Sequence, residues 1–308
     1  MAHIYIYSPS GAVRDKAAFK RGVARLQKWG HAVEVDADAL GRFTRFAGDD
    51  ATRLAAIHRA AASGADVALI TRGGYGLTRL LPHIQYKAVA KAIQRGTQFV
   101  GFSDFTALQN AVLAQTGATT WAGPALGEDL GAPECDDIMQ ACFEDMLSGQ
   151  GEGAGWRLPS RCVQAQTKAD GVWAKHAVLW GGNLSVLCSL LGSAYFPRIK
   201  NGILFLEDVG EHPYRIERML TQLLHAGVLA QQKALVLGHF TQYQLSTHDK
   251  GFQMQSVVDW LQAQIKTPVL TGLPFGHVPT KLCLPVGKAV DLLVENRDAL
   301  LLWAHQGH

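Results

Sequence analysis

Val67-Ala-Leu-Ile-Thr-Arg-Gly-Gly-Tyr-Gly76 joins an unbroken apolar run to a glycine-rich turn. Such a run, with no polar residue alternating into it, predicts a strand covered on both faces, as in a parallel sheet flanked by helices. The neighbouring segments agree. Upstream, Thr52 to Ala62 sets Leu54, Ile57 and Ala61 at helical spacing and stops at Gly64. Downstream, a helix is predicted over Leu77 to Arg95, broken early by Pro82, which lacks an amide donor. Further out, Ile4 to Tyr7 reads as a strand ending in the turn Ser8-Pro9-Ser10-Gly11, and Asp15 to Trp29 as a helix closed by Gly30. His31 to Val35 and Phe99 to Phe102 are further strands, and Phe105 to Gln115 is the next helix. This alternation predicts an α/β fold with a doubly wound parallel sheet in the first half.

The pattern changes after Gly149-Gln-Gly-Glu-Gly-Ala-Gly155, where four glycines and an alanine offer little to a core. We expect a first domain over 1–148, a linker over 149–168 and a second domain over 169–308. In the last of these, short β-rich runs (Gly171 to Trp173, Ala177 to Leu179, Ile203 to Leu206, Ala234 to Leu237) mix with helices over Leu184 to Leu191 and Tyr214 to Ala226. A mixed, β-rich α/β domain is predicted there.

Composition narrows the function classes. With 308 residues, 48% apolar and 18% charged, the chain is of ordinary globular make-up. Its net charge of +3 is spread without a basic run, which argues against nucleic acid as partner. No signal-like N-terminus and no long apolar stretch is present, so neither export nor a membrane is expected. Five scattered cysteines without a C-x-x-C point to a reducing compartment, the cytoplasm, and to neither a disulfide framework nor a zinc site.

The richest local chemistry is Phe99-Val-Gly-Phe-Ser-Asp-Phe-Thr106. A strand runs into glycine, Ser103 stands at the corner and a helix begins at Asp104, which is the layout of a nucleophile elbow. It departs from G-x-S-x-G because Phe105 replaces the last glycine. The simpler reading makes Ser103 a helix cap. Arg72-Gly-Gly-Tyr-Gly76 is read either as a donor of N–H groups to an anion or as a plain tight turn, since Arg79 spoils the dinucleotide-binding glycine spacing. Farther on, Ile203-Leu-Phe-Leu-Glu-Asp-Val-Gly-Glu211 puts carboxylates after an apolar strand, and Gly272-Leu-Pro-Phe-Gly-His277 puts a histidine in a loop. Asp208 as a cap and His277 as a surface residue are the plainer alternatives. Serine, carboxylate and histidine each follow a strand end, where functional groups concentrate. No S-x-x-K, H-E-x-x-H or H-x-x-E-H occurs, and neither metal nor organic cofactor is called for.

Taken in order, these segments resemble the LD-carboxypeptidases, the muramoyltetrapeptide carboxypeptidase family of serine peptidases, in particular the cytoplasmic Gram-negative type. The resemblance extends through Arg45-Phe-Ala-Gly48, Gly181-Gly-Asn183, Glu211-His-Pro-Tyr-Arg215 and Arg218-Met-Leu220, and so covers almost the whole chain. It implies a flavodoxin-like N-terminal domain, a β-rich C-terminal domain, a homodimer, and hydrolysis of the meso-diaminopimelate–D-Ala bond of the muropeptide tetrapeptide during peptidoglycan recycling. By position it puts the nucleophile on Ser103, the carboxylate on Glu207, the base on His277, and the oxyanion donors on the N–H groups of Asp104 and Gly74. With Ser103 in one predicted domain and Glu207 and His277 in the other, the site is expected where the domains join. Trp121-Ala-Gly-Pro124 departs from the family, many of whose members carry histidine before the Gly-Pro. An exopeptidase also needs a group for the terminal carboxylate, for which Arg72, Arg215 and Arg218 are candidates. The alternatives are a microcin C-type immunity peptidase acting on aminoacyl-nucleotide conjugates and a non-catalytic muropeptide sensor.

Overall fold

A computed structural model describes residues 1–160 and 170–303. The chain divides into two units. The first takes Met1–Gln150 together with Leu190–Pro197 and Pro279–Gly287; the second takes Gly151–Ser189, Arg198–Val278 and the C-terminal segment from Lys288.

In the first unit, β1 (His3–Tyr7), β2 (Ala32–Val35), β3 (Val67–Ile70), β4 (Gln98–Gly101) and β5 (Thr120–Ala122) form a parallel sheet in the order β2-β1-β3-β4-β5, the flavodoxin-like order. The helices α1 (Lys16–Lys28), α2 (Asp50–Ala62), α3 (Tyr86–Gln94), α4 (Thr106–Thr116) and α5 (Asp137–Ser148) alternate with or follow these strands. All four residues of β3 are buried, as its apolar run predicts. Asp15 starts α1 by accepting the Ala17 and Ala18 N–H groups, a cap that offsets two otherwise orphaned donors. Ile4, Ile6, Leu26, Val100 and Phe143 are solvent-free in one core cluster, and each such burial contributes roughly 1.5–3 kcal/mol.

Three differences from the sequence expectations have physical causes. The helix expected over Leu77 to Arg95 is two 3-10 turns, Leu77–Arg79 and Leu81–His83, followed by α3. Pro82 stands at the start of the second turn, and the Leu77 N–H is drawn out to the Asp104 carboxylate at 3.0 Å. The expected linker contains β6 (Gly153–Arg157), which pairs with a C-terminal strand, while positions 161–168 of it lie outside the described residues. A Cβ on Gly153 would come within 2.5 Å of the Leu301 carbonyl, so this glycine serves close strand approach. Finally, the chain returns to the first unit after residue 278.

The second unit is built on β7 (Gly171–Asn183), β8 (Ile203–Val209), β9 (Ala234–Thr241) and β10 (Val269–Thr271), parallel to one another. The returning strand β11 (Leu284–Val286) instead pairs antiparallel with β5 in the first unit. β12 (Ala289–Glu295) and β13 (Asp298–Leu302) extend the second sheet antiparallel, giving the order β10-β9-β8-β7-β12-β13-β6. Helices α6 (Leu184–Leu190), α7 (Pro213–His225) and α8 (Met254–Gln264) complete the mixed α/β architecture. The predicted runs at Gly171 and Ala177 are one strand, and those at Ile203 and Ala234 each extend beyond the expected ends.

The returning segment is held to the first unit by a buried ion pair. Lys281 is solvent-free, its ammonium lies 3.0 Å from the Asp129 carboxylate and 4.3 Å from the centre of the Phe102 ring. Removing one member of such a pair strands the other charge without solvent. Lys281→Ala is expected to lower the unfolding free energy by about 3–5 kcal/mol in urea titrations, and the double variant with Asp129→Ala to recover part of the loss. A single variant as stable as the parent would show that the pair does not hold this segment.

Candidate functional site

The loops after β1, β3 and β4 meet at the carboxyl ends of adjacent strands, the edge where open α/β sheets carry their ligands. Phe102 continues the strand in extended conformation, and Ser103 then takes φ 63°, a left-handed value. The short 3-10 turn Ser103–Phe105 leads directly into α4. A non-glycine residue held there costs about 1–3 kcal/mol, a strain that clusters at functional corners. The N-cap residues of the turn and of α4 are Phe102 and Phe105, neither with a side-chain cap bond, and Ser103 is the first residue inside the turn, at the strand-to-helix corner.

The Asp104 side chain is tied into the neighbouring loops. Its buried carboxylate accepts the Ser10 hydroxyl at 2.5 Å and the Leu77 N–H at 3.0 Å. Burial pushes this carboxyl above the usual range, against the hydrogen bonds and the nearby Arg53 charge. Arg53, itself solvent-free, donates to the Pro9 carbonyl at 3.1 Å and lies 4.6 Å from the Phe46 ring centre.

Gly73, a residue sequence reasoning gave no role, is the one that faces the serine. A Cβ built on it would sit 2.7 Å from Ser103 Oγ and 3.3 Å from the Asp104 nitrogen. The Gly73 carbonyl accepts the Gly11 N–H at 3.1 Å. In a trans peptide the N–H points opposite to the carbonyl, so the Gly74 N–H is turned away from Gly11. Gly74, at φ 116°, packs against Gly11 and the Arg72 guanidinium.

In the second unit, Glu207 is solvent-free near the end of β8, and its Oε2 lies 2.9 Å from His277 Nδ1. With that nitrogen donating to the carboxylate, the neutral ring carries its lone pair on Nε2. The β8–β9 register shifts between Leu206 and Asp208, and both Glu207 and its neighbour Asp208 are buried. Asn183, quoted in the sequence only as part of a motif, donates to Glu207 Oε1 and to Asp208, each at 3.0 Å. Burial and then the adjacent Glu207 charge raise the Asp208 carboxyl above its ordinary range. Gly276, at φ 134°, brings the His277 loop down on Glu207: a Cβ there would be 2.9 Å from the His239 carbonyl and 3.3 Å from Glu207 Oε2.

The three candidate arginines are differently placed. Arg72 is buried, in the first unit, with Nε 3.3 Å from Glu128. Arg215 and Arg218 lie on α7, their guanidinium carbons 6.0 and 5.9 Å from the ring centre of the exposed Tyr214, and Arg215 pairs with Glu211 at 3.5 Å. Among the described residues, no group of three or more His, Cys, Asp or Glu side chains could hold a metal ion, and no helix is long and apolar enough to cross a membrane.

Comparison with known proteins is consistent along the chain. The LD-carboxypeptidase N-terminal domain matches residues 4–123 and the LD-carboxypeptidase C-terminal domain residues 176–292. A Synechocystis protein bearing a carboxypeptidase name is 31% identical over 93% of this chain and 90% of its own length. The solved muramoyltetrapeptide carboxypeptidase from Oxalobacter formigenes is 36% identical, covers 97% of both chains and superposes with a TM-score of 0.85. The Microcin C7 self-immunity protein MccF of Escherichia coli is 27% identical over 94% of this chain and 90% of its own length. A solved structure of MccF in complex with aspartyl sulfamoyl adenosine is 25% identical, covers 98% of this chain and 96% of that one, and has a TM-score of 0.83. Ser103 falls within the first matched domain and the Glu207–His277 pair within the second, and the chain belongs to the LD-carboxypeptidase family.

Proposed function

We propose that this chain is a serine LD-carboxypeptidase that removes the terminal D-Ala from the muropeptide tetrapeptide, with Ser103 as nucleophile, His277 as base and Glu207 as the carboxylate that orients it. The 2.9 Å contact between His277 Nδ1 and the solvent-free Glu207 carboxylate carries this reading. A buried carboxylate that accepts the Nδ1–H fixes the tautomer that leaves a lone pair on Nε2, the arrangement a general base needs.

The reaction divides into two steps. A serine hydroxyl is a weak nucleophile, so as Ser103 Oγ bonds to the diaminopimelate carbonyl carbon, His277 Nε2 takes its proton. The tetrahedral oxyanion is met by the N–H groups of Asp104 and Gly74; each such donor is typically worth about 3–4 kcal/mol. Collapse breaks the C–N bond, and the imidazolium returns the proton to the departing D-Ala amine. Water, deprotonated by the same imidazole, then hydrolyses the acyl-enzyme. Glu207 holds the ring in place and stabilises the imidazolium.

A second reading is favoured by the MccF likeness: cleavage of an aminoacyl-nucleotide conjugate by the same groups. Peptidoglycan recycling in the cytoplasm by a homodimer belongs to the first reading, and light scattering tests the dimer.

Incubation with L-Ala-γ-D-Glu-meso-diaminopimelate-D-Ala and with its terminal L-Ala epimer, followed by mass spectrometry, is expected to release alanine from the D epimer only. Ser103→Ala should keep its melting temperature within a few degrees and lose roughly a thousandfold or more in turnover; half-retained activity would remove Ser103 from the nucleophile role. Release from neither peptide, with cleavage of an aspartyl sulfamoyl adenosine, would select the second reading. Gly73→Ala, which forces a methyl group onto Ser103 Oγ, is expected to lower kcat by about a hundredfold or more while leaving a folded protein by circular dichroism. Unchanged kcat in that variant would show that the serine corner tolerates displacement.

A further inference from the structure

A cleft of about 320 Å³ opens beside the Arg72–Gly76 turn, within the first unit. Four arginines line it, Arg14, Arg42, Arg45 and Arg72, and no carboxylate does. Like charges gathered round a concavity repel one another, so the arrangement costs free energy until an anion enters. Glu128 meets Arg72 only at Nε, 3.3 Å away, from the adjoining cleft behind it. Among the described residues, no carboxylate pairs with Arg14, Arg42 or Arg45.

The backbone presents these side chains deliberately. Phe43 and Phe46 exchange both N–H···O bonds, at 2.9 and 3.0 Å, closing a tight turn whose Thr44 is left-handed at φ 53°. Arg42 and Arg45 flank its tip. The Ala12 N–H fastens the Arg45 carbonyl at 3.0 Å, and the Arg45 guanidinium carbon lies 5.7 Å from the Tyr75 ring centre. On the opposite wall, a Cβ on Gly74 would come within 2.8 Å of Arg72 Nη1, so glycine there makes room for the guanidinium. The residue before Gly74 is Gly73, which packs against the serine corner.

We infer that this cleft is a carboxylate subsite, in which Arg72 with Arg14, Arg42 and Arg45 holds an anionic group of the peptide flanking the bond that is cut. The inference rests on the carboxypeptidase reading. Planar guanidinium forks match carboxylates in bidentate geometry, and partly desolvated arginine is the side chain suited to that task. The tetrapeptide offers three carboxylates: the α-carboxylate of its γ-linked glutamate, the side-chain carboxylate of diaminopimelate and the terminal D-Ala carboxylate. The cleft is large enough for a branched residue carrying its charge.

The test compares the intact chain with Arg42→Gln, Arg45→Gln and the double variant, all at exposed positions, on the tetrapeptide and on three forms of it amidated at one carboxylate each. Arg45→Gln is expected to raise KM about tenfold with kcat within about twofold and the melting temperature unchanged. One amidated peptide should lose that sensitivity, which identifies the carboxylate held. A double variant with unchanged KM, or KM raised by the same factor on every amidated peptide, overturns the subsite while alanine release by the parent leaves the carboxypeptidase reading standing. If the parent releases no alanine, that reading fails, and calorimetric titration with L-Ala-γ-D-Glu-meso-diaminopimelate decides the subsite. Weaker binding by the double variant supports it; equal binding, or none by the parent, overturns it.

Discussion

One buried carboxylate organises the first unit's candidate site. Asp104 has almost no water, which raises its carboxyl, and the donors that work against this come from separate loops: the Ser10 hydroxyl after β1, and the Leu77 and Gly76 N–H groups after β3. Asp104 itself follows β4 at the corner made by Ser103. A single side chain thereby ties together three strand ends, and its neighbour in sequence is the proposed nucleophile. Ser103, at φ 63°, is thus next to a residue whose side chain is fixed from two other loops, the kind of surrounding in which backbone strain persists.

The second unit repeats the principle with other groups. Glu207 and Asp208 are adjacent, buried and mutually repelling, which raises the Asp208 carboxyl. Asn183 donates to both, and the Ser185 and Val209 N–H groups complete Asp208 at 2.9 and 2.8 Å. Asp208 therefore takes up local donors while Glu207 keeps one oxygen for His277. The close approach that lets Asn183 reach this point comes from Gly181, where a Cβ would collide with the Phe205 carbonyl. Thr241 donates to the His277 carbonyl at 3.4 Å, adding a backbone tether to the carboxylate contact.

Much of this was legible in the sequence, for identifiable reasons. β3 is apolar throughout because both its faces are covered, and α1 announces itself by Asp15 and by period. Other elements carried misleading local signals. Leu77 to Arg95 has helical composition, yet Gly76 at φ 129° and the pull of Asp104 on Leu77 override propensity. β11 contains Pro285, which ordinarily argues against a strand, and is tolerated because β11 is the sheet's edge. The glycines of β6 read as a linker because close strand approach and flexibility use the same residue.

Sequence alone determined the βα alternation, the serine at a strand-to-helix corner, the carboxylate and histidine at strand ends, and the family resemblance, because each is written in neighbouring residues and their order. Only the tertiary structure decided that Gly73 rather than Gly74 faces the serine side chain, that the Asp104 carboxylate gathers donors from other loops, that Asn183 serves two acids, and that arginines from three segments line one cleft. Those facts depend on contacts between residues tens of positions apart, and nothing in local spacing encodes where such segments meet.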